Sequence, residues 1–183
     1  MSNINRVVNM MRNRLEVIEC LKTLVYDLEK FTNERNHIQK IIEQNYWIFG
    51  ESYHLASADV TFERALSNYL YLLDGQSQPD KTQIENQEAN RRPDIFMCRS
   101  HKVNDAKSSS MLEENIIVEL KRPSVKIGIT QYRQIEDYLR LIKNEPKFNS
   151  QSRLWKFYVV SAVIDDDIKS KYETFKNQNK RYL

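Results

Sequence analysis

Ile116-Ile117-Val118-Glu119-Leu120-Lys121-Arg122-Pro123 carries more structural information than any other stretch of this chain. The β-branched residues at 116–118 favour a pleated strand, and Pro123 ends it. Alternation along that strand puts Glu119 and Lys121 on one face, opposite Val118 and Leu120. A charge at the end of an apolar strand is costly to bury unless it is paired or bound to a metal. A surface ion pair on an edge strand is the plain alternative. The (D/E)-x-K tripeptide occurs at four places, starting at Asp105, Glu119, Glu145 and Asp167. Only the Glu119 copy ends an apolar strand.

On the N-terminal side, Ile95-Phe96-Met97-Cys98 reads as a short buried strand that Asp94 begins, directly after Pro93. The polar stretches 76–91 and 99–114 read as loops, the second around Ser108-Ser109-Ser110. On the C-terminal side, a helix is expected over 130–143 with Tyr132, Ile135, Leu139 and Ile142 on one face. Trp155 to Val163 reads as a strand, and a last helix starts near Asp166. Three helices precede the strands. The first covers 4–31 with a near-heptad stripe of Met11, Ile18, Leu21, Val25 and Leu28. The second covers 33–45, capped by Asn33, with Ile38, Ile41 and Ile42 inward and a Tyr46-Trp47-Ile48-Phe49-Gly50 stop. The third covers 60–73, capped by Asp59, with Phe62, Leu66, Leu70 and Leu73 inward. This order predicts a mixed α/β sandwich whose sheet is covered by helices. Residues 1–32 form a helical linker or oligomerisation segment, and 33–183 the main domain.

Composition removes several classes. With 183 residues, 40% hydrophobic and 29% charged, the chain can bury a core without staples. A net charge of +3 does not by itself announce nucleic acid, so any such contact must come from local clusters. Cys20 and Cys98 lie far apart, and the three histidines form no metal spacing, which argues against zinc. Reduced thiols, and the lack of an apolar run near the ~20 residues of a membrane span, lead to a cytoplasmic expectation. Three glycines leave no phosphate-cradling loop.

The chemistry centres on two strand ends. Neighbouring strands can bring Asp94 beside Glu119, where like charges repel and a divalent cation relieves the repulsion. Mg²⁺, with Mn²⁺ as a substitute, takes oxygen ligands of this kind, and the Leu120 carbonyl offers another. Such a metal polarises a phosphate and acidifies a bound water. Lys121 then orients that water or stabilises charge on the phosphate. Arg91, Arg92 and Arg122 flank the site and are candidate phosphate-gripping residues for DNA.

Arg92-Pro93-Asp94 followed by Ile117 to Pro123 resembles the PD-(D/E)xK nuclease superfamily. More narrowly it is similar to the Shedu-type antiphage nuclease domain, whose upstream helix ends in an aromatic segment like Glu43-Gln44-Asn45-Tyr46-Trp47-Ile48-Phe49-Gly50. The likeness spans roughly residues 33–165. It implies a restriction-endonuclease-like fold, metal-dependent DNA cleavage and a role in bacterial defence. Related domains are often fused to other modules, including GHKL-type ATPases, so it also implies that the chain is one part of a larger protein. The same likeness marks Gln134 and Tyr138, one helical turn apart and beside the apolar stripe, as catalytic candidates. It also marks a glutamate on the first core helix. Glu34 and Glu43 both qualify, and helix geometry prefers Glu34 as a further metal ligand.

The leading expectation is therefore a Mg²⁺-dependent deoxyribonuclease. The rival is a silent nuclease-fold module for DNA binding or regulation, and a third reading is an oligomerising domain built on the first helix.

Overall fold

The computed structural model describes residues 3–74, 91–105, 108–146 and 148–179. Its centre is strand β3 (Ser108–Leu120). β3 runs antiparallel to β2 (Ile95–Asp105) and parallel to β5 (Arg153–Val160). β1 (His54–Ala58) pairs with the far edge of β2, giving the order β1-β2-β3-β5. The parallel β3–β5 pair needs a crossover, and helix α4 (Ile129–Asn144) supplies it. Two short strands, β4 (Lys126–Ile127) and β6 (Val163–Ile164), form a separate parallel ribbon. The architecture is thus α/β, a mixed sheet flanked by helices with an N-terminal helical extension.

Both faces of the sheet are covered, which explains the near-continuous apolar run of β3. Phe96, Cys98 and Ile117 pack on Phe62, Ala65, Leu66 and Tyr69 of α3 (Phe62–Asp74) and on Tyr138, Leu141 and Ile142 of α4. Ile95, Met97, Ile116, Val118 and Leu120 face Ile38, Ile42 and Tyr53 instead.

The structure corrects four local expectations. Residues 99–105 and 108–114 are not loop but the outer part of a β2–β3 hairpin, paired from Ile95↔Val118 to Asp105↔Ser108. Their polarity hid them, because a backbone ladder needs no apolar side chains, and Arg99↔Glu114 is a cross-strand charge pair. Asp59 does not cap α3. It sits at φ 47°, its N–H bonded to the Asp94 carbonyl at 3.2 Å, while the Thr61 hydroxyl receives the Arg64 N–H. On α4 the buried face is Tyr138, Leu141 and Ile142. Tyr138 therefore belongs to the core rather than its shoulder. The first helix also stops early. α1 (Asn3–Lys22) passes into a π-helical turn at Thr23–Asp27, and Thr32 Oγ1 closes it on the Leu24 and Leu28 carbonyls.

Asn33 does cap the next segment, accepting from the Arg35 and Asn36 N–H groups. That segment is a π-helical turn, Glu34–Gln39, continued by α2 (Lys40–Gln44). Gly50 then holds φ +141°, where a Cβ would press within 3.0 Å of the Tyr53 ring, so glycine is required there. The last element among the described residues is α5 (Asp166–Asn179), close to the expected start. The stretch 76–90 and the side chains of Leu70 and Leu73 lie outside the described residues. Among the described residues, no helix is long and apolar enough to cross a membrane.

Candidate active site

Buried Pro93 leads Asp94 into β2. One step past the Ile95↔Val118 pair, Asp94 and Glu119 are neighbours on adjacent strands, on the face shared with Phe96 and Ile117. The main chain there is fixed twice, because the Asp94 carbonyl accepts from Asp59 N–H and from Gln39 Nε2, both at 3.2 Å. Beyond Leu120 the β3–β5 pairing continues, with Lys121 N–H on the Val160 carbonyl at 2.9 Å. The Ser161 hydroxyl then holds the following turn through the Arg122 and Val125 carbonyls.

Asp94 and Glu119 are 6% and 2% exposed. Asp94 Oδ2 accepts the Leu120 N–H at 2.6 Å. Glu119 Oε1 accepts the Tyr138 hydroxyl at 2.6 Å, and Oε2 accepts Gln134 Nε2 at 2.6 Å and Lys121 Nζ at 3.3 Å. A carboxylate offers about four acceptor positions. Glu119 keeps about one of them free and Asp94 about three.

These contacts leave the pair short of positive charge. Burial, then the charge of Glu119, pushes the Asp94 carboxyl up to about 6. The Leu120 N–H and Lys121 pull it down less strongly, and Glu34 adds to the rise. Glu119 is raised as well, since burial outweighs the Tyr138 hydroxyl, Lys121 and Gln134. Burial and the Glu119 charge raise Tyr138, which keeps it a neutral donor. Two adjacent, underneutralised carboxylates are a donor set that fits a hard divalent cation. Among the described residues no group of three or more His, Cys, Asp and Glu side chains is placed to hold a metal.

The remaining sequence candidates separate. Lys121 stands with the pair, its side chain 17% exposed. Gln134 and Tyr138, the expected catalytic candidates on α4, both donate to Glu119 itself. Leu120 meets Asp94 through its N–H. Glu34 accepts the Arg122 N–H at 3.1 Å and bears on the charge of Asp94. Glu43 reaches the site only through Gln39, at 2.8 Å. Arg92 and Arg122 are exposed beside the site. Arg91 is engaged with Asp137 of α4 at 2.7 Å. Of the other tripeptides, Asp167 is exposed at the start of α5, and Lys107 and Lys147 lie outside the described residues.

Two contributors escaped the sequence reading. Gln39, 4% exposed, sits within the Ile38–Ile42 apolar face, and a glutamine between two isoleucines one turn apart was the available signal. Asp137 lies beside Tyr138 and ties the Asp94 segment to α4 through Arg91.

No protein-family model matches the chain, and no curated protein matches it. Among solved structures, it is similar to the MspJI restriction endonuclease in complex with a 27-mer oligonucleotide, at 11% identity and a TM-score of 0.35. That likeness covers 84% of this chain and 26% of the other, so the chain spans about a quarter of that protein's length.

Proposed function

We propose that this chain is a metal-dependent DNA endonuclease of the PD-(D/E)xK type. The observation that carries the reading is the convergence of Asp94, Glu119 and Lys121 at one end of β2 and β3, with Gln134 and Tyr138 bonded to Glu119. Mg²⁺ held by Asp94 and Glu119, with Mn²⁺ as a substitute, would polarise the scissile phosphate and acidify a bound water. Lys121, paired with Glu119 at 3.3 Å, would orient that water or stabilise charge on the phosphate. Tyr138 and Gln134 fix Glu119 in one orientation, so little reorganisation accompanies the reaction. Arg92 and Arg122 supply phosphate contacts beside the site. Glu34, through the Arg122 N–H, holds the end of β3 and is the most favourable further carboxylate.

The narrower reading, a Shedu-type domain acting in antiphage defence and associated with a GHKL-type ATPase module, rests on the likeness of the Arg92-Pro93-Asp94 and Glu119-to-Pro123 motifs. The test of activity is nicking or linearisation of supercoiled plasmid by the chain with Mg²⁺ or Mn²⁺, against EDTA and against Asp94→Ala. Metal-dependent cutting lost in the variant supports the nuclease. A folded chain that binds DNA but never cuts it replaces that reading with a silent binding module.

A further inference from the structure

Gln39 is buried between Ile38 and Ile42, which belong to the core on one face of the sheet. Burying an amide there is unfavourable beside an apolar side chain of the same size. The oxygen it meets does not call for it. The Asp94 carbonyl already accepts the Asp59 N–H, which continues the β1–β2 pairing one step past Ala58↔Ile95. The Gln39 bond, at 3.2 Å, is a second one to the same oxygen. It therefore does not rescue a buried group but restrains the peptide that carries the Asp94 carboxylate. Both donors sit on uncommon backbone. Asp59 is the non-glycine residue at positive φ among the described residues, at 47°, a conformation few such residues adopt. Gln39 closes the π-helical turn Glu34–Gln39. On an α-helix, residues five apart point about 140° from each other. A π turn bonds i to i+5 and brings them to nearly one side. Glu34 can thus accept the Arg122 N–H at the end of β3 while Gln39 reaches the start of β2. Two rare local conformations meet at one carbonyl of the candidate site, where such features cluster in proteins.

Glu43 decides which end of the amide faces Asp94. Its Oε1 takes a hydrogen from Gln39 Nε2 at 2.8 Å, from one turn further along the same side of the helix. A carboxylate only accepts, so the amide nitrogen is held between two acceptors. Turning the amide over would set its oxygen against both of them. We propose that Gln39 is a positioning residue for Asp94, oriented by Glu43, and that Glu43 serves the site only through Gln39. The proposal rests on the metal-dependent nuclease reading above. Gln39 bonds the main chain and not the carboxylate. It acts by limiting the movement of the peptide that aims Asp94. Outer partners that hold a metal-binding carboxylate typically matter about 10–100-fold in metal affinity or activity.

The test uses the full chain with Gln39→Met, which keeps the length of the side chain and removes the donor. The Mn²⁺ concentration that gives half of the melting shift should rise about tenfold. Cleavage of supercoiled plasmid at subsaturating Mn²⁺ should fall by a similar factor, with KM for the plasmid within about twofold. In EDTA the melting temperature should stay within about 3 °C of the parent, because an apolar side chain suits that face. Glu43→Leu should give a smaller loss of the same kind. Glu43→Gln still offers an oxygen to Gln39 and should bring the Mn²⁺ midpoint back to within about twofold of the parent. If the parent binds Mn²⁺ and cuts, an unmoved midpoint in Gln39→Met overturns the inference and leaves the nuclease standing. Glu43→Gln as impaired as Glu43→Leu would make the Glu43 charge itself the contributor and overturn its place behind Gln39. A parent with neither a Mn²⁺ shift nor cutting sinks the nuclease reading and this inference with it.

Discussion

At the hairpin end of β3's described side chains, Glu114 accepts from the Tyr53 hydroxyl at 2.7 Å, Arg99 Nε at 2.6 Å and Lys156 Nζ at 3.3 Å. Glu113, on the other face, accepts from Tyr69 at 2.8 Å and Arg153 at 2.6 Å. At the opposite end, Glu119 and its neighbour Asp94 share Lys121. The paired strands β2 and β3 thus hold two pairs of carboxylates. The first pair is matched by three cations, Arg99, Lys156 and Arg153, and the second by one. Burial works to raise Glu114, yet Tyr53, Arg99 and Lys156 outweigh it and its carboxyl ends below the usual range. Burial wins at Asp94 and Glu119. The first end is internally balanced and holds the sheet together. The second keeps negative charge that Lys121 alone does not balance, and both its carboxyls are raised.

That contrast predicts its largest effect in catalysis. Asp94→Ala, Glu119→Ala and Lys121→Ala should each lower plasmid cleavage at least about a thousandfold, roughly 4 kcal/mol of transition-state stabilisation, with the fold intact. Glu114→Gln should lower the melting temperature and leave the cleavage rate per folded molecule within about twofold. Initial rates normalised to the folded fraction measure both. If Glu114→Gln removes cutting as fully as Glu119→Ala, the two ends are not distinct.

The next effect is a difference of sign with pH. The Asp94 carboxyl is raised from 3.8 to about 6, so the native state holds that proton more tightly than the unfolded chain. Without divalent ions, this group makes stability fall as pH rises from about 4 to about 6, by on the order of 3 kcal/mol. Asp94→Asn should abolish that fall and melt at the same or a higher temperature at pH 7. Glu114 is lowered, so its contribution is present above the ordinary carboxylate pKa and is lost as pH falls through its folded value. Denaturant titrations at several pH values should therefore show opposite slopes for the two groups. A destabilised Asp94→Asn at pH 7 would make Asp94 a structural residue like Glu114.

The two ends also differ in how far the sequence disclosed them. The Glu119 end was legible because an apolar strand surrounds its charges, so Ile116–Leu120 set the face and the turn at Pro123 set the end. Asp94 followed from its place before a second apolar run. Nothing comparable marks Glu113 and Glu114, whose partners lie 15 to 61 residues away and whose strand is polar. Helix periodicity placed Gln134 and Tyr138 on one face but put Tyr138 at the core's edge. Its hydroxyl bonds a buried carboxylate, which lets the ring fill the core against Phe62 at 5.2 Å. Such satisfaction of a polar tip depends on tertiary contact and leaves no trace in spacing.

Metal linkage comes next in size. A divalent ion that binds only the folded state stabilises it by roughly 2.7 kcal/mol at a hundredfold excess over its dissociation constant. For a domain of this size that is about 5–10 °C in melting temperature. Mn²⁺ should act at least as strongly as Mg²⁺. The shift should vanish in Asp94→Ala/Glu119→Ala and persist in Glu114→Gln and in Asp167→Ala. Equal melting curves in saturating Mn²⁺ and in EDTA would remove the metal from the underneutralised end.

The smallest effect tests how Glu119 is held. Tyr138→Phe keeps the ring against Phe62 and deletes only the hydroxyl on Glu119 Oε1. A lost buried hydrogen bond costs about 1–2 kcal/mol of stability, and loosening a metal-binding carboxylate typically costs tenfold or somewhat more in activity. A purely structural tyrosine would give the first loss alone. A positioning tyrosine adds a shift in pH dependence, because its hydrogen bond is the largest influence lowering the Glu119 carboxyl. Without it that carboxyl rises further, and the acid limb of the cleavage profile moves to higher pH. Gln134→Leu should move the limb in the same direction by less, since Gln134 lowers Glu119 less than the hydroxyl does. An acid limb unmoved in Tyr138→Phe, with stability reduced, would place Tyr138 with the balanced, structural contacts of the other end.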